Sequence, residues 1–319
     1  MGVGRRAATA RLAFLALAAG EPRLCAAQPA WQPSPGHTQV PIWPGVVPDA
    51  QPVEGPEQSG TVVDGFGNER LVAARPWVYV GRVSQPTMTV YSPEGRHTGA
   101  AVVVFPGGGY NVLAIDLEGT EACDWLTSNG ITCVLLKYRV PCLKSGPYRD
   151  CATALEDAQR AVGLVRFQAA RWHIDPHRVG VLGFSAGGHM VAALSTHFQK
   201  RLYATVDAAD EESCRPDFAV ALYPGHLAVR ERDFALNPDI QVSGQAPPTF
   251  LVQAADDPVD PPENSLVYHA ALRKAGVPAE MHLYAKGGHA FGLRRTESPI
   301  TGWPPLVEAW LGSIGIITR

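Results

Sequence analysis

From residue 88 onward the chain alternates short, continuously apolar runs with longer stretches in which apolar residues recur every three or four positions. The first pattern belongs to strands buried on both faces, the second to helices with one apolar side. Met88-Thr89-Val90-Tyr91 reads as an early strand, and Ala100 to Phe105 is an unbroken apolar run that stops at Pro106-Gly107-Gly108-Gly109. A helix is predicted over Glu118 to Ser128, closed by Asn129-Gly130, with a strand over Ile131 to Leu136 behind it. Leu155, Ala158, Val162, Val165, Ala169 and Trp172 keep helical spacing, so a long helix is expected over Ala152 to Trp172. The apolar run Arg178 to Leu182 leads into Gly183-Phe184-Ser185-Ala186-Gly187 and then into a small-residue helical run, Gly188 to Ala193. Strands at Phe218 to Tyr223, Thr249 to Val252 and Met281 to Tyr284, with helices at Pro262 to Ala275 and Pro304 to Leu311, complete the pattern. Such alternation predicts an α/β fold: a mostly parallel central sheet with helices on both faces. No internal repeat interrupts it.

The residues ahead of this pattern read differently. Arg5, Arg6 and Arg11 precede the apolar stretch Leu12 to Gly20 and the small residues Cys25-Ala26-Ala27, so residues 1–27 are expected to be a signal peptide and the protein secreted or periplasmic. Eight prolines between Pro29 and Pro56 disfavour helix or central strand, and 28–75 is read as a Pro-rich extended segment ahead of a catalytic domain at 76–319. The chain has 319 residues, 46% of them hydrophobic, enough for one large core. A net charge of −3 and the lack of any Lys/Arg-rich run argue against a nucleic-acid partner, and no apolar run reaches the length of a bilayer span. Loss of Cys25 would leave Cys123, Cys133, Cys142, Cys151 and Cys214, an odd number, with Cys142–Cys151 the preferred disulfide because the two flank one polar loop. No C-x-x-C pair or histidine cluster accompanies them, so no metal is expected, and no cofactor motif is found.

Gly183 to Gly187 is a G-x-S-x-G pentapeptide in a strand-to-turn-to-helix setting, where a sharp turn exposes the serine and glycines two residues either side avoid collisions with strand and helix. A serine hydroxyl is a poor nucleophile until a base takes its proton. His289, in Lys286-Gly287-Gly288-His289 after the last strand, is the best-placed base; His189, four residues beyond Ser185, is better read as a residue packed behind the turn. The acid is expected after the penultimate strand, where Asp256, Asp257 and Asp260 compete. Asp257 is favoured, Asp256 is close behind, and Asp260 is read as a turn residue. The order serine, acid, histidine fits the nucleophile-elbow pattern. Gly108 and Gly109, after the first buried strand, and Ala186, after the serine, are the expected backbone donors of an oxyanion hole. A phosphate cradle is the rival for the three glycines, but no Lys-Ser/Thr pair follows and no G-x-G-x-x-G is present.

These residues resemble the α/β-hydrolase superfamily, and more closely bacterial esterases described as acetyl xylan esterase-like or feruloyl esterase-like. The likeness runs from Pro41-Ile42-Trp43-Pro44-Gly45 through Ser84-Gln85-Pro86-Thr87, the Pro106-to-Tyr110 loop, Asp116-Leu117-Glu118-Gly119 and Lys137-Tyr138-Arg139-Val140-Pro141. It continues through Ala154 to Ala161, the elbow, Pro262-Glu263-Asn264-Ser265-Leu266 and Gly287-Gly288-His289. The resemblance implies an α/β-hydrolase fold and removal of acetyl or other short acyl groups from carbohydrate esters. Aligning the family's D-x-x-V-P pattern selects Asp257 and puts Asp260 where valine is common, and it makes Arg139 and Asp157 an internal ion pair. Hormone-sensitive-lipase-like relatives begin the oxyanion loop with histidine, where this chain has Pro106. Tyr110, Tyr223 and Trp303 are options for lining a sugar site, with core packing the plainer reading. The rivals are a prolyl-oligopeptidase-like peptidase, which shares the order of the triad but needs a gating domain, and a non-catalytic binding protein on the same scaffold.

Overall fold

The computed structural model describes residues 23–24, 30–64, 66–142 and 151–317; the expected signal peptide lies outside them, apart from a short strand at Arg23–Leu24. Its centre is an eight-stranded sheet. The strands are β1 (Gln39–Pro41), β2 (Thr87–Tyr91), β3 (Ala101–Phe105), β4 (Thr132–Lys137), β5 (Val179–Phe184), β6 (Ala219–Leu222), β7 (Thr249–Ala254) and β8 (Ala279–Tyr284). Their spatial order is β8-β7-β6-β5-β3-β4-β2-β1. Strands β3 to β8 run parallel, whereas β2, near one edge, is antiparallel to both of its neighbours, β4 and the edge strand β1. Strands β3 to β7 are buried along their whole length, as continuous apolar runs require. The helices are α1 (Glu121–Ser128), α2 (Ala152–Phe167), α3 (Ala186–Thr196), α4 (Glu263–Lys274) and α5 (Pro304–Ser313). The long helix expected to Trp172 ends at Phe167 and continues as a 3-10 turn over Ala169–Trp172.

The strand order reverses at β3, which is flanked by β4 on one side and β5 on the other. At such a switch point the loops leaving adjacent strands diverge and open a crevice beyond the strands' carboxyl ends. Pro106-Gly107-Gly108-Gly109 leaves β3 there, and Ser185 leaves β5. Topology alone thus sets the glycine loop against the serine.

The segment 28–75 is extended but not outside the domain. Its Gln39–Pro41 is the edge strand β1, and Gln58–Val63 joins Val78–Gly81 and Val112–Ala114 in a second, antiparallel sheet. A boundary at residue 76 therefore cuts through one folded unit. Buried charges fasten the segment to α2: Asp157 accepts hydrogen bonds from Trp43 Nε1 (2.8 Å) and from Arg139 Nε (2.9 Å), and Arg160 Nε donates to the Ile42 carbonyl (2.9 Å). Arg139 and Asp157 form the internal ion pair that the resemblance implied, 2.9 Å apart.

The disulfide joins Cys123 of α1 to Cys133 of β4, not Cys142 to Cys151. The tight turn between α1 and β4 lays the helix back on the strand and brings the two Cα atoms to 5.1 Å, within bridging range. Flanking a common loop does not ensure such an approach. Among the described residues no helix is long and apolar enough to cross a membrane, and no group of three His, Cys, Asp or Glu residues is set to hold a metal ion.

Asp157 is fully buried and its partner Arg139 nearly so. Truncating one member of such a pair leaves the other charge uncompensated, so Asp157→Ala should cost about 3–5 kcal/mol of unfolding free energy, measured by urea denaturation against the unsubstituted protein.

Candidate active site

Ser185 sits between β5 and α3 with φ 51° and ψ −117°, a conformation a residue with a side chain adopts only when its surroundings impose it. Close packing at the turn does so here. A Cβ on Gly183 would collide with the Gly187 carbonyl, and one on Gly187 with the Phe105 carbonyl at the end of β3. The two glycines let helix and strands meet tightly enough to lift the serine out of the sheet.

His289 follows β8 and reaches back over the strand ends. Its Nε2 is 2.9 Å from Ser185 Oγ, and its Nδ1 is 2.7 Å from Asp257 Oδ2. Asp257 is held in turn by N–H donors from Val259 (2.9 Å) and Asp260 (3.0 Å) and by the Gln253 side chain (3.2 Å). Asp256 does a different job: its Oδ1 accepts the N–H groups of Gly287 and Gly288 at 2.8 and 2.9 Å and so ties down the loop that carries His289. The structure thus brings Ser185, His289 and Asp257 into one hydrogen-bonded chain and leaves Asp256 beside it. His189 is buried behind the turn with its Nδ1 2.7 Å from Tyr110 Oη, and burial pushes its pKa down to about 3.

Gly108 and Gly109 line the same cleft as Ser185 and take left-handed backbone angles, φ 128° and 61°. Among the described residues no protein acceptor takes either N–H. Ala186 opens α3, so its N–H has no carbonyl four residues earlier within the helix. Sequence reasoning assigned no role to Glu118, yet this carboxylate anchors the loop. It is buried, accepts the Gly107 N–H (2.7 Å) on Oε2 and the Tyr223 hydroxyl (2.8 Å) on Oε1. Tyr223 Oη in turn accepts the N–H of Gly292 (3.2 Å), three residues past His289. Nothing in the sequence separates Glu118 from its acidic neighbours Asp116 and Glu121, and Asp116-Leu117-Glu118-Gly119 is too short to show periodicity.

The cleft holds about 570 Å³. Asp260, expected as a turn residue, is one of its walls: Oδ2 lies 3.3 Å from Ser185 Oγ and 3.7 Å from His289 Nε2. The turn around Asp257 projects it there, which the local sequence did not reveal. Arg70, Leu71, Val72 and Trp77 of the N-terminal segment form the opposite rim. Arg294 clamps that rim through the carbonyls of Arg75 (2.8 Å) and Pro76 (2.9 Å) while pairing with Glu121 (2.8 Å). Tyr110, Tyr223 and Trp303 are core residues, at most 4% exposed, and Trp77 is the aromatic side chain lining the cleft. Burial opposes a charge on His289, but the hydrogen bond and charge of Asp257, with the charges of Asp260 and Glu118, outweigh it and raise its pKa. Burial raises the pKa of Glu118 and of Asp260.

The profile of a family described as alpha/beta hydrolase fold matches residues 102–293. An acetylxylan esterase of Xylanibacter ruminicola is 31% identical over 229 residues, covering 65% of this chain and 44% of that protein. An endo-1,4-beta-xylanase B of Butyrivibrio fibrisolvens is 30% identical over 219 residues, covering 63% of this chain and 34% of that protein. The aligned region therefore spans less than half of either relative. Among solved structures, an acetyl ester-xyloside bifunctional hydrolase from Caldicellulosiruptor lactoaceticus is 32% identical with a TM-score of 0.68, covering 88% of this chain and 97% of that one.

Two outcomes follow from the geometry, both read with a fluorophosphonate probe that reacts with activated serines. The labelling rate of Ser185 should rise with pH through a midpoint above the ordinary imidazole value of about 6.5, because His289 must be neutral to take the proton and its pKa is raised. Glu118→Ala strands the Gly107 N–H and lets the loop shift. The labelling rate should fall about 10²-fold, the scale expected for an ångström of misplacement, whereas Glu118→Gln should retain most of it.

Proposed function

We propose, from the premise that this chain belongs to the alpha/beta hydrolase family, that it is a serine carboxylic-ester hydrolase working through an acyl-enzyme. The carrying observation is the continuous line Ser185–His289–Asp257, 2.9 and 2.7 Å between successive partners, facing the glycine loop across one cleft. In this reading Ser185 Oγ attacks the ester carbonyl while His289 Nε2 removes the hydroxyl proton. Asp257 fixes the tautomer with the proton on Nδ1 and stabilises the imidazolium. The carbonyl oxygen, now anionic, is met by the N–H groups of Gly108, Gly109 and Ala186, each such donor being worth about 2.7–4 kcal/mol in the transition state. His289 then returns the proton to the departing alcohol oxygen, and a water repeats the sequence to free the acid and restore Ser185.

We further propose acetyl or other short acyl esters of carbohydrates as the substrates. The reading is supported by the acetylxylan esterase and the acetyl ester-xyloside hydrolase among the similar proteins, and by a cleft whose floor carries hydroxyl, imidazole and carboxylate groups. Residues 1–27 keep the composition of an export signal, and the Cys123–Cys133 disulfide suits an oxidising compartment; together they support secretion or a periplasmic location.

Wild-type protein should release acetate from acetylated xylan and from 4-nitrophenyl acetate and leave a prolyl peptide intact. Ser185→Ala should lower kcat/KM on both esters at least about 10⁴-fold and abolish fluorophosphonate labelling. Cleavage of the peptide in preference to the esters, or ester hydrolysis undiminished in Ser185→Ala, would defeat the proposal.

A further inference from the structure

Asp260 is 9% exposed, and the reacting atoms of the proposed mechanism lie directly in front of it. Its main chain is fixed on both sides: its N–H donates to Asp257 Oδ1 (3.0 Å) and its carbonyl accepts from Gln253 Nε2 (3.0 Å). The carboxyl group is therefore aimed, not loosely placed. Room for it is made by Gly225, where a Cβ would stand 2.5 Å from Asp260 Oδ1. Among the described residues the one hydrogen-bond donor within reach of the side chain is Ser185 Oγ at 3.3 Å, whose single proton is also claimed by His289 Nε2 at 2.9 Å. A carboxylate offers about four acceptor sites, so most of its capacity is unused. Asp260 lines the cleft, so those unused acceptor sites face whatever occupies it, which points to a partner arriving with the substrate.

The position of that partner follows from the chemistry. The leaving alcohol oxygen has to come within hydrogen-bond reach of His289 Nε2 to receive its proton. Asp260 Oδ2 is 3.7 Å from the same nitrogen, too far to bond it well and close enough to contact whatever is attached next to the leaving oxygen. An oxygen on the neighbouring carbon of the alcohol reaches this spot, and a carboxylate accepts from it only if it carries a proton.

We propose that Asp260 is a specificity-determining residue that accepts a hydrogen bond from a free hydroxyl on the carbon adjacent to the esterified oxygen, so that the site selects monoesters of vicinal diols, as in partly acylated sugars. This rests on the ester-hydrolase reading and narrows its substrate class. Among the described residues no Lys or Arg is paired with Asp260, whose ionisable basic neighbours are His289 and His226; this fits a neutral hydroxyl ligand, and the carboxylate disfavours anionic alcohols such as acylated uronates.

The test is a substrate ratio, which divides out any general effect on Ser185 and His289. The kcat/KM of wild-type protein is compared on a methyl xyloside monoacetate with free neighbouring hydroxyls and on the same ester with those hydroxyls methylated or replaced by fluorine. The hydroxyl ester should be favoured at least about tenfold, the scale of a hydrogen bond to a charged group, and Asp260→Ala should bring the ratio close to one, with Asp260→Asn in between. A wild-type ratio near one overturns the inference without using a variant, as does an undiminished ratio in Asp260→Ala. If the wild-type ratio is near one while 4-nitrophenyl acetate is hydrolysed, the ester-hydrolase reading stands and this inference falls. If no ester is hydrolysed at all, the reading itself falls and takes the inference with it.

Discussion

One buried carboxylate holds the working parts in register. Glu118 receives the Gly107 N–H from the loop after β3 and the hydroxyl of Tyr223 at the end of β6, and that hydroxyl is bonded to Gly292 beyond His289. The loop for the developing anion and the loop for the base thus share one anchor under the floor of the cleft. Such a group is expensive to bury, and here two donors offset part of that cost. A glycine loop has little side-chain packing of its own to fix it. Without an acceptor for the Gly107 N–H beneath it, the loop would be free to turn its N–H groups away from the serine.

Above that anchor the sheet order supplies the coarse positioning and short contacts supply the fine. The reversal at β3 places the glycine loop and Ser185 on neighbouring strand ends, and the strained elbow then sets the serine within 2.9 Å of His289. Coarse and fine positioning draw on different forces. Burial of β3 to β7 is non-directional hydrophobic packing that tolerates exchange among similar side chains, whereas the hydrogen bonds around Asp256, Asp257 and Glu118 are directional and do not.

This division also explains what the sequence discloses. Ser185, His289 and the β strands are legible because each depends on neighbours in the chain: a pentapeptide at a strand end, a glycine-flanked histidine, an apolar run. Choosing Asp257 over Asp256 needed an alignment pattern, because the two adjacent carboxylates differ only in which loop they turn toward. The roles of Glu118 and Asp260 were not legible, for a common reason. Each is a single polar residue whose role is set by groups more than 70 positions away in one direction or the other, Tyr223 and Ser185 respectively. The disulfide and the part played by residues 58–77 were hidden likewise, since proline content reports local stiffness and not where a stiff segment docks.

The clamp formed by Arg294 has an implication for how this cleft can change. It grips the rim at residues 72–76 chiefly through main-chain carbonyls, which every amino acid presents alike. The identity of the side chains on that rim is thereby uncoupled from its attachment. One wall of the cleft can be rewritten residue by residue while remaining bolted to the same place, so new alcohols could be admitted by mutation there without loosening the machinery opposite.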